Sequence, residues 1–178
     1  MTFFIFVLKC VYFMLPAYFA NMAPVFFRKI KFLDIPIDVN KKFLGKPIFG
    51  KNKTYRGLFF GILLGFLVFL LQKSLSEQLN AISLIDYSSV PLILGILLSA
   101  GAIVGDLIKS FIKRRIRIKE GQPFIPFDQL DFALGALLFS FAYIPNWQSA
   151  VVILAVSPIL HIIVNHLAFY LKIRKEKW

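Results

Sequence analysis

Cysteine and histidine are scarce in this chain of 178 residues, which contains one Cys and two His. The cysteine, Cys10, lies inside an apolar run, so the sequence provides neither a disulfide framework nor a zinc site made of thiolates. Internal repeats, low-complexity tracts and Ser/Gly-rich linkers are also missing. We therefore interpret Cys10 as a packing residue and expect residues 1–178 to form a single domain.

Apolar residues are abundant instead. They make up 58% of the chain, including 21 Phe, more than a water-soluble domain of this length needs. Five runs approach the roughly 20 apolar residues with which a helix crosses the hydrocarbon core of a bilayer. These runs are Phe3 to Ala23, Gly57 to Gln72, Val90 to Ile108, Leu130 to Ile144 and Ser149 to Ile173. The sequence thus predicts an all-α, polytopic membrane protein with about five transmembrane helices.

The basic residues fall almost wholly into three polar segments. Segment 28–56 has nine Lys and Arg residues, segment 109–119 has six, and segment 172–177 has four. With five crossings all three lie on one side of the membrane, which the positive-inside rule makes the cytosolic side. We therefore expect the N-terminus outside, the C-terminus in the cytosol, and any active site at the cytosolic face of the cell membrane. The net charge of +12 then reflects membrane orientation and not nucleic acid binding.

Three aspartates are predicted where the third and fourth runs meet the cytosol. Asp106 lies near the end of the third run, where a charge is costly unless it is paired or hydrated. Asp128 and Asp131 are three residues apart at the start of the fourth, so a helix presents both on one face. Converging carboxylates suit Mg²⁺, which takes oxygen ligands and shares them with substrate phosphates. On spacing alone a structural interpretation is equally open: the carboxylates neutralise nearby cations, and Asp128 caps a helix.

The segment between these aspartates is strongly basic. It contains Lys113 and Arg114, and cations beside metal ligands suit a triphosphate. The alternative is a loop that sets topology and attracts anionic lipid headgroups.

The first cytosolic loop contains a second group of possible phosphate ligands. Glycines in residues 45–57 permit close backbone approach, and Lys53, Thr54 and Arg56 supply donors just before a helix start. It is not a P-loop, because Asn52 follows Gly50-Lys51 where Ser or Thr is required.

Together these segments resemble the membrane-bound CTP-dependent lipid cytidylyltransferases, and within them the CDP-archaeol synthase branch. The phosphatidate cytidylyltransferase signature Ser-x-x-Lys-Arg-x4-Lys-Asp is similar to the string Ser110-x-x-Lys113-Arg114-x4-Lys119-Glu120, which the pair Asp128 and Asp131 follows. The His-Gly-Gly stretch of that signature and the Arg inside its Asp pair are missing here. The shortened Asp-Gln-Leu-Asp-Phe form is similar to the archaeol branch, as are Lys53-Thr54-Tyr55-Arg56-Gly57 and Ala20-Asn21-x-x-Pro24.

The resemblance implies a reaction of CTP with 2,3-bis-O-(geranylgeranyl)-sn-glycerol 1-phosphate that gives the CDP-activated lipid and pyrophosphate, with Mg²⁺ as cofactor. The lipid phosphate is the nucleophile, so neither a Ser-His-Asp triad nor an activated cysteine is required. The metal ligands it implies are Asp106, Asp128 and Asp131. The catalytic residues it implies are Lys113, Arg114, Lys119, Asp128 and Asp131. Nucleotide phosphates are assigned to Lys53, Thr54, Arg56, Ser110, Lys113 and Arg114.

Other functions are weighed against this one. A phosphatidate cytidylyltransferase acting on ester lipids shares the headgroup chemistry, and a small non-enzymatic transporter or scaffold would use the same aspartates only to pair with cations. The motifs of CDP-alcohol phosphotransferases and of membrane prenyltransferases are missing. The expected partners are CTP, the isoprenoid ether lipid phosphate, membrane lipids and a second identical chain that helps bury the short spans. His161, Asn165 and His166 are expected to form hydrogen bonds between helices.

Overall fold

Five helices account for most of the computed structural model, which describes residues 2–172. They are α1 (Phe3–Phe26), α2 (Tyr55–Ser74), α3 (Ile93–Arg115), α4 (Phe127–Phe139) and α5 (Trp147–Tyr170). A hairpin of two strands, β1 (Lys42–Phe43) and β2 (Lys46–Pro47), lies between α1 and α2, and short 3-10 helices cover Asn80–Ile82 and Phe141–Tyr143. Ile173, the predicted end of the fifth run, and most of the third basic segment lie outside the described residues.

The helices confirm the predicted all-α membrane architecture. Four of them, α1, α2, α3 and α5, are long and apolar enough to cross a membrane. The fourth predicted run forms α4, which has 13 residues and ends at Phe139. By contrast, α3 continues past the predicted end at Ile108 to Arg115. The charged residues of its last turns contact polar groups of neighbouring segments, so the helix does not need to end where the apolar run ends.

The first helix lies at the centre of the bundle. Its residues Phe13, Met14, Ala17 and Ala20 are completely buried, and α1 packs against all four other helices. The last helix is more peripheral and packs against α4 and α1. One link between α1 and α5 is a 2.8 Å hydrogen bond between the hydroxyl groups of Tyr18 and Ser157. Outward-facing side chains are mostly large and apolar, as expected of surfaces that meet lipid.

Glycines bring the backbones of α3 and α4 into direct contact. A Cβ atom added to Gly105 would overlap the carbonyl oxygen of Asp131, and one added to Gly135 would overlap the carbonyl oxygen of Gly101. Small residues at such positions allow membrane helices to approach closely without a side chain between them. This contact brings Asp106, the neighbour of Gly105, close to Asp131.

The chain reverses direction at each helix, so residues 27–54 and 116–126 lie at one end of the bundle. Within that end, Lys46 Nζ donates a 2.8 Å hydrogen bond to the carbonyl oxygen of Arg115. The structure therefore brings the first two basic segments together.

The polar residues of α5 form hydrogen bonds along their own helix. His166 Nδ1 lies 2.8 Å from the carbonyl oxygen of Ile162, and Asn165 Nδ2 lies 3.2 Å from His161 Nδ1. Hydrogen bonds from these residues to other helices stay a prediction. The contact of His161 with α4 is a ring stack on Phe132, with centroids 5.9 Å apart.

Candidate active site

Three carboxylates surround one lysine at the junction of α3 and α4. Lys109 Nζ lies 3.1 Å from Asp106 Oδ1, 2.9 Å from Asp128 Oδ1 and 2.8 Å from Asp131 Oδ2. Asp106 and Lys109 share one face of α3, and Asp128 and Asp131 share one face of α4, since residues three apart lie side by side on a helix. The structure thus brings together the three aspartates that the sequence assigned to a common site.

Two further lysines complete this group. Lys53, from the first loop, forms a short ion pair with Asp106 Oδ2. Lys113 Nζ lies 3.1 Å from both carboxylate oxygens of Asp128 and donates a 2.5 Å hydrogen bond to the carbonyl oxygen of Gln122. We call the six residues the Asp–Lys cluster: Asp106, Asp128, Asp131, Lys53, Lys109 and Lys113. Its formal charges balance, which lowers the cost of placing ionised groups at a membrane helix end.

Backbone hydrogen bonds fix two of the carboxylates. The N–H of Phe124 donates to Asp128 Oδ2 at 2.5 Å, and the N–H of Phe132 donates to Asp131 Oδ1 at 2.6 Å. Asp128 does not cap α4, because the helix begins after Pro126 without a side-chain cap. The prediction that Asp128 caps a helix is therefore wrong. The pairing of Asp128 with Lys113 agrees with the other structural interpretation, in which the carboxylates neutralise nearby cations.

A polar cavity of about 110 Å³ opens beside the Asp–Lys cluster. Both basic loops and α3 contribute to its wall, which consists of Phe49, Asn52, Lys53, Lys109, Ser110, Lys113, Arg114, Glu120 and Gly121. Four of these residues are cationic, and Ser110 is buried among them. Ligand pockets usually measure about 300 Å³ or more, so the closed part of this cavity suits a phosphate group and not a whole nucleotide.

Three residues predicted to contact substrate phosphates lie outside both the cavity wall and the Asp–Lys cluster. The Thr54 hydroxyl accepts a 3.2 Å hydrogen bond from the N–H of Gly57 and so caps α2. Arg56 pairs with Asp34 at 3.0 Å and donates to the carbonyl oxygen of Ile30 at 2.6 Å. Lys119 is exposed on the second loop. Their assignment to substrate phosphates stays a prediction.

The hairpin of the first loop is attached to the end of α3 by Arg115. Its guanidinium donates to the backbone carbonyl oxygens of Phe43 and Pro47. The same group lies 5.4 Å from the ring centre of Phe43 and 5.0 Å from that of Phe111, in cation–π contact with both. Because the hairpin leads into Phe49, Asn52 and Lys53, this attachment positions one wall of the cavity.

A buried carboxylate shapes the same loop from within. Asp38 Oδ2 accepts hydrogen bonds from the N–H groups of Phe49 and Gly50 at 3.0 and 3.1 Å, and Oδ1 accepts one from Asn40 at 3.1 Å. Burial opposes ionisation of Asp38, but these backbone hydrogen bonds outweigh burial and hold its pKa below the ordinary value.

Sequence reasoning assigned no role to Lys109, Arg115 and Asp38, and it included Glu120 only as the last position of the signature string. A signal existed for Lys109, which follows Asp106 by three residues and precedes Lys113 by four, the spacing of one helix face. The signal was hidden because a run of charges next to an apolar segment is typical of a loop. Arg115 and Asp38 act through backbone carbonyl and N–H groups of distant residues, for which the sequence carries no pattern.

The carboxylates have the ligand chemistry that Mg²⁺ prefers, since each supplies hard oxygen donors. They already gather around a single cationic atom, Lys109 Nζ, and Asp106 and Asp128 retain side-chain exposures of 21% and 20%. Within residues 2–172, no group of three His, Cys, Asp or Glu side chains is arranged to hold a metal by itself. The carboxylate oxygens are therefore of the chemical type that binds Mg²⁺. In this structure the ammonium group of Lys109 lies between them.

Comparisons with known proteins agree with one another. A family model described as CarS-like, CDP-archaeol synthase, matches residues 3–178. The CDP-archaeol synthase of Methanocaldococcus jannaschii is 38% identical over 172 residues and 94% of each chain, and that of Pyrococcus abyssi is 37% identical over 177 residues, 97% of this chain and 98% of the relative.

A solved structure extends this agreement from sequence to fold. It is described as an intramembrane enzyme for archaeal membrane lipid biosynthesis, and it superposes with a TM-score of 0.73 at 31% identity. The match covers 89% of this chain and 94% of the solved one. With a family model and relatives that match over nearly the full length, the chain belongs to the CDP-archaeol synthase family.

Proposed function

We propose that this protein transfers a cytidylyl group from CTP to an isoprenoid ether lipid phosphate at the cytosolic face of the membrane, forming CDP-archaeol and pyrophosphate. The substrate we infer is 2,3-bis-O-(geranylgeranyl)-sn-glycerol 1-phosphate. The observation that carries the proposal is the Asp–Lys cluster beside a cavity lined by four cationic side chains. Family membership supports the class of reaction, and the cluster supports the place where it occurs.

Cytidylyl transfer requires neutralisation of the phosphate charges and does not require a nucleophile from the protein. An oxygen of the lipid phosphate attacks the α-phosphorus of CTP, a P–O bond forms, and the bond from that phosphorus to the oxygen bridging to the β-phosphorus breaks. Pyrophosphate leaves with the bonding electron pair. The attacking phosphate is already an anion, so catalysis rests on positioning and on neutralising negative charge.

The cationic cavity wall would supply that neutralisation. Lys53, Lys113 and Arg114 reach the cavity from two different segments, so they can contact a triphosphate from more than one side. Lys53 and Lys113 are themselves held by Asp106 and Asp128. These pairs fix the ammonium groups in place before substrate arrives, which reduces the reorganisation that binding requires.

Mg²⁺ would be held by Asp106, Asp128 and Asp131. Bound there, the ion would withdraw charge from the phosphate oxygens of the nucleotide. Lys109 would keep the three carboxylates together when no other cation is bound, since like charges at this spacing repel unless a cation lies between them.

The test is release of pyrophosphate from labelled CTP by the purified, lipid-reconstituted protein. The geranylgeranyl ether phosphate and an ester phosphatidate are offered separately, each with Mg²⁺ and with EDTA. We expect release only with the ether lipid and Mg²⁺. Asp128→Asn should abolish release, whereas the control Asp86→Asn, on the exposed loop at the other end of the bundle, should not.

Each other result has a clear meaning. Release with phosphatidate alone would keep the chemistry and overturn the lipid assignment. Full activity in EDTA would overturn the metal assignment. No release with either lipid, from protein shown to be folded, would favour a transporter or scaffold.

A further inference from the structure

One acidic side chain belongs to the wall of an otherwise cationic cavity. Glu120 lines the cavity together with Lys53, Lys109, Lys113 and Arg114. A carboxylate at this place weakens the attraction of the site for a triphosphate, because like charges repel. A role in recognising an uncharged part of the ligand would offset that cost.

The cavity wall is divided by charge. Its cations are Lys109, Lys113 and Arg114 of α3 and Lys53 of the first loop, and three of them belong to the Asp–Lys cluster. The remaining wall, formed by Phe49, Asn52, Glu120 and Gly121, carries an aromatic ring, an amide, a carboxylate and a residue without a side chain. We call this second part the rim; a nucleotide whose phosphates occupied the cationic part would have the rim within reach of its sugar and base.

The position of Glu120 is fixed by the first loop. Its Oε1 accepts a 3.2 Å hydrogen bond from the N–H of Lys51. Gly50 has a φ of +101°, and a Cβ atom there would lie 2.6 Å from Oε1, so the loop lies directly against the carboxylate. Among the contacts of residues 2–172, Oε2 accepts no hydrogen bond and can serve a ligand.

We propose that Glu120 makes the site selective for cytosine, with Oε2 accepting a hydrogen bond from the exocyclic N4 amine of CTP. This proposal rests on the proposed function. Cytosine and uracil differ at this atom, since cytosine presents an amine donor where uracil presents a carbonyl acceptor. A carboxylate can only accept, so uracil at the rim would place two acceptors against each other. Asn52, whose side chain both donates and accepts, would serve the other polar atoms of the base edge.

The experiment measures kcat/KM for CTP and for UTP with wild-type protein, Glu120→Gln and the control Glu77→Gln. Glu77 is exposed on the loop at the opposite end, so the control makes the same chemical change away from the cavity. A Gln amide can donate to the uracil carbonyl. We expect the CTP/UTP ratio of Glu120→Gln to fall about ten- to a hundredfold, the range of one good base contact, and that of Glu77→Gln to equal the wild-type ratio.

A second measurement does not depend on the folding of a variant. Wild-type protein is given CTP with both N4 hydrogens replaced by methyl groups, and we expect its kcat/KM to fall at least about tenfold. An unchanged CTP/UTP ratio in folded Glu120→Gln, or normal use of the methylated nucleotide, would overturn the proposal. Wild-type protein that releases no pyrophosphate from CTP would instead contradict the proposed function itself.

Discussion

Lys109 Nζ lies 2.8 Å from the Oδ2 atom of Asp131, whose side chain is only 5% exposed. The same ammonium contacts Asp106 and Asp128, so one cation from α3 compensates carboxylates of two helices. Removing one member of a buried ionic group leaves charge without compensation, which costs more than the group contributes as a whole. The cluster is therefore both a part of the candidate site and a link between helices.

Replacing this lysine is expected to be severe. Lys109→Met should lower the stability of the folded protein by about 3–5 kcal/mol, because three carboxylates then share too few cations. Thermal unfolding in detergent measures the effect, and exposed Lys41→Met is the matched control. The double variant Lys109→Met with Asp131→Asn should recover part of the stability. If Lys109→Met unfolds at the wild-type temperature, the cluster does not link the helices.

Close contact between α3 and α4 leads to a second prediction. Gly105→Ala should reduce both the melting temperature and pyrophosphate release, because its methyl group would meet the carbonyl oxygen of Asp131. Gly57→Ala is the matched control, since its added Cβ would lie an ordinary 3.4 Å from Pro24 Cγ. Equal effects of the two substitutions would show that backbone contact at Gly105 does not align the carboxylates.

The attachment of the hairpin can be tested without changing charge. Arg115→Lys keeps the cation but loses the planar fork that reaches several carbonyl oxygens, as well as much of the stacking on Phe43 and Phe111. Amide hydrogen exchange in residues 42–53 should become about tenfold faster, and the KM for CTP should rise. Arg117→Lys, on the exposed turn after α3, should change neither. Normal protection in Arg115→Lys would contradict the assigned role.

The pH dependence of the first loop follows from Asp38. Since folding lowers the pKa of Asp38, its stabilising contribution is complete above its ordinary pKa of about 3.9 and is lost as pH falls through the lowered value. Protection of the Phe49 and Gly50 amides, corrected for intrinsic exchange, should therefore decline only below about pH 4. Asp38→Asn should lack protection at neutral pH, and Asp86→Asn should retain it. Wild-type protection that is constant down to pH 2 would refute this account.

The sequence predicts the helices well because membrane spans are selected by their own composition. Apolar runs must become helices in lipid, where every backbone polar group needs an internal partner. The sequence predicts the ends of the helices less well. In α3 the charged residues from Lys109 to Arg115 are typical of a loop, and only their contacts in the structure explain why the helix continues through them. The hairpin was missed because its turn residues, Leu44 and Gly45, both have positive φ, which Leu rarely adopts and the sequence does not signal.

The aspartates could be predicted and their cations only in part. The sequence singles out Asp106, Asp128 and Asp131 because ionised residues near the ends of apolar runs are energetically costly unless they are paired or hydrated. Which cation each carboxylate meets depends on the contact of α3 with α4 and on the path of the first loop. Thr54 and Arg56 illustrate the same limit, since their positions before α2 suggested phosphate ligands, whereas in the structure they bind the helix end and a neighbouring turn.

The short length of α4 has a consequence for the place where a water-soluble nucleotide and a lipid acceptor would meet. Its 13 residues extend about 20 Å, roughly 10 Å less than the hydrocarbon layer is thick. Because α4 begins at the Asp–Lys cluster, the proposed reaction would take place at the end of a helix that is too short to cross this layer by itself. On the proposed function, a lipid phosphate bound at this helix end would keep its chains among neighbouring lipids.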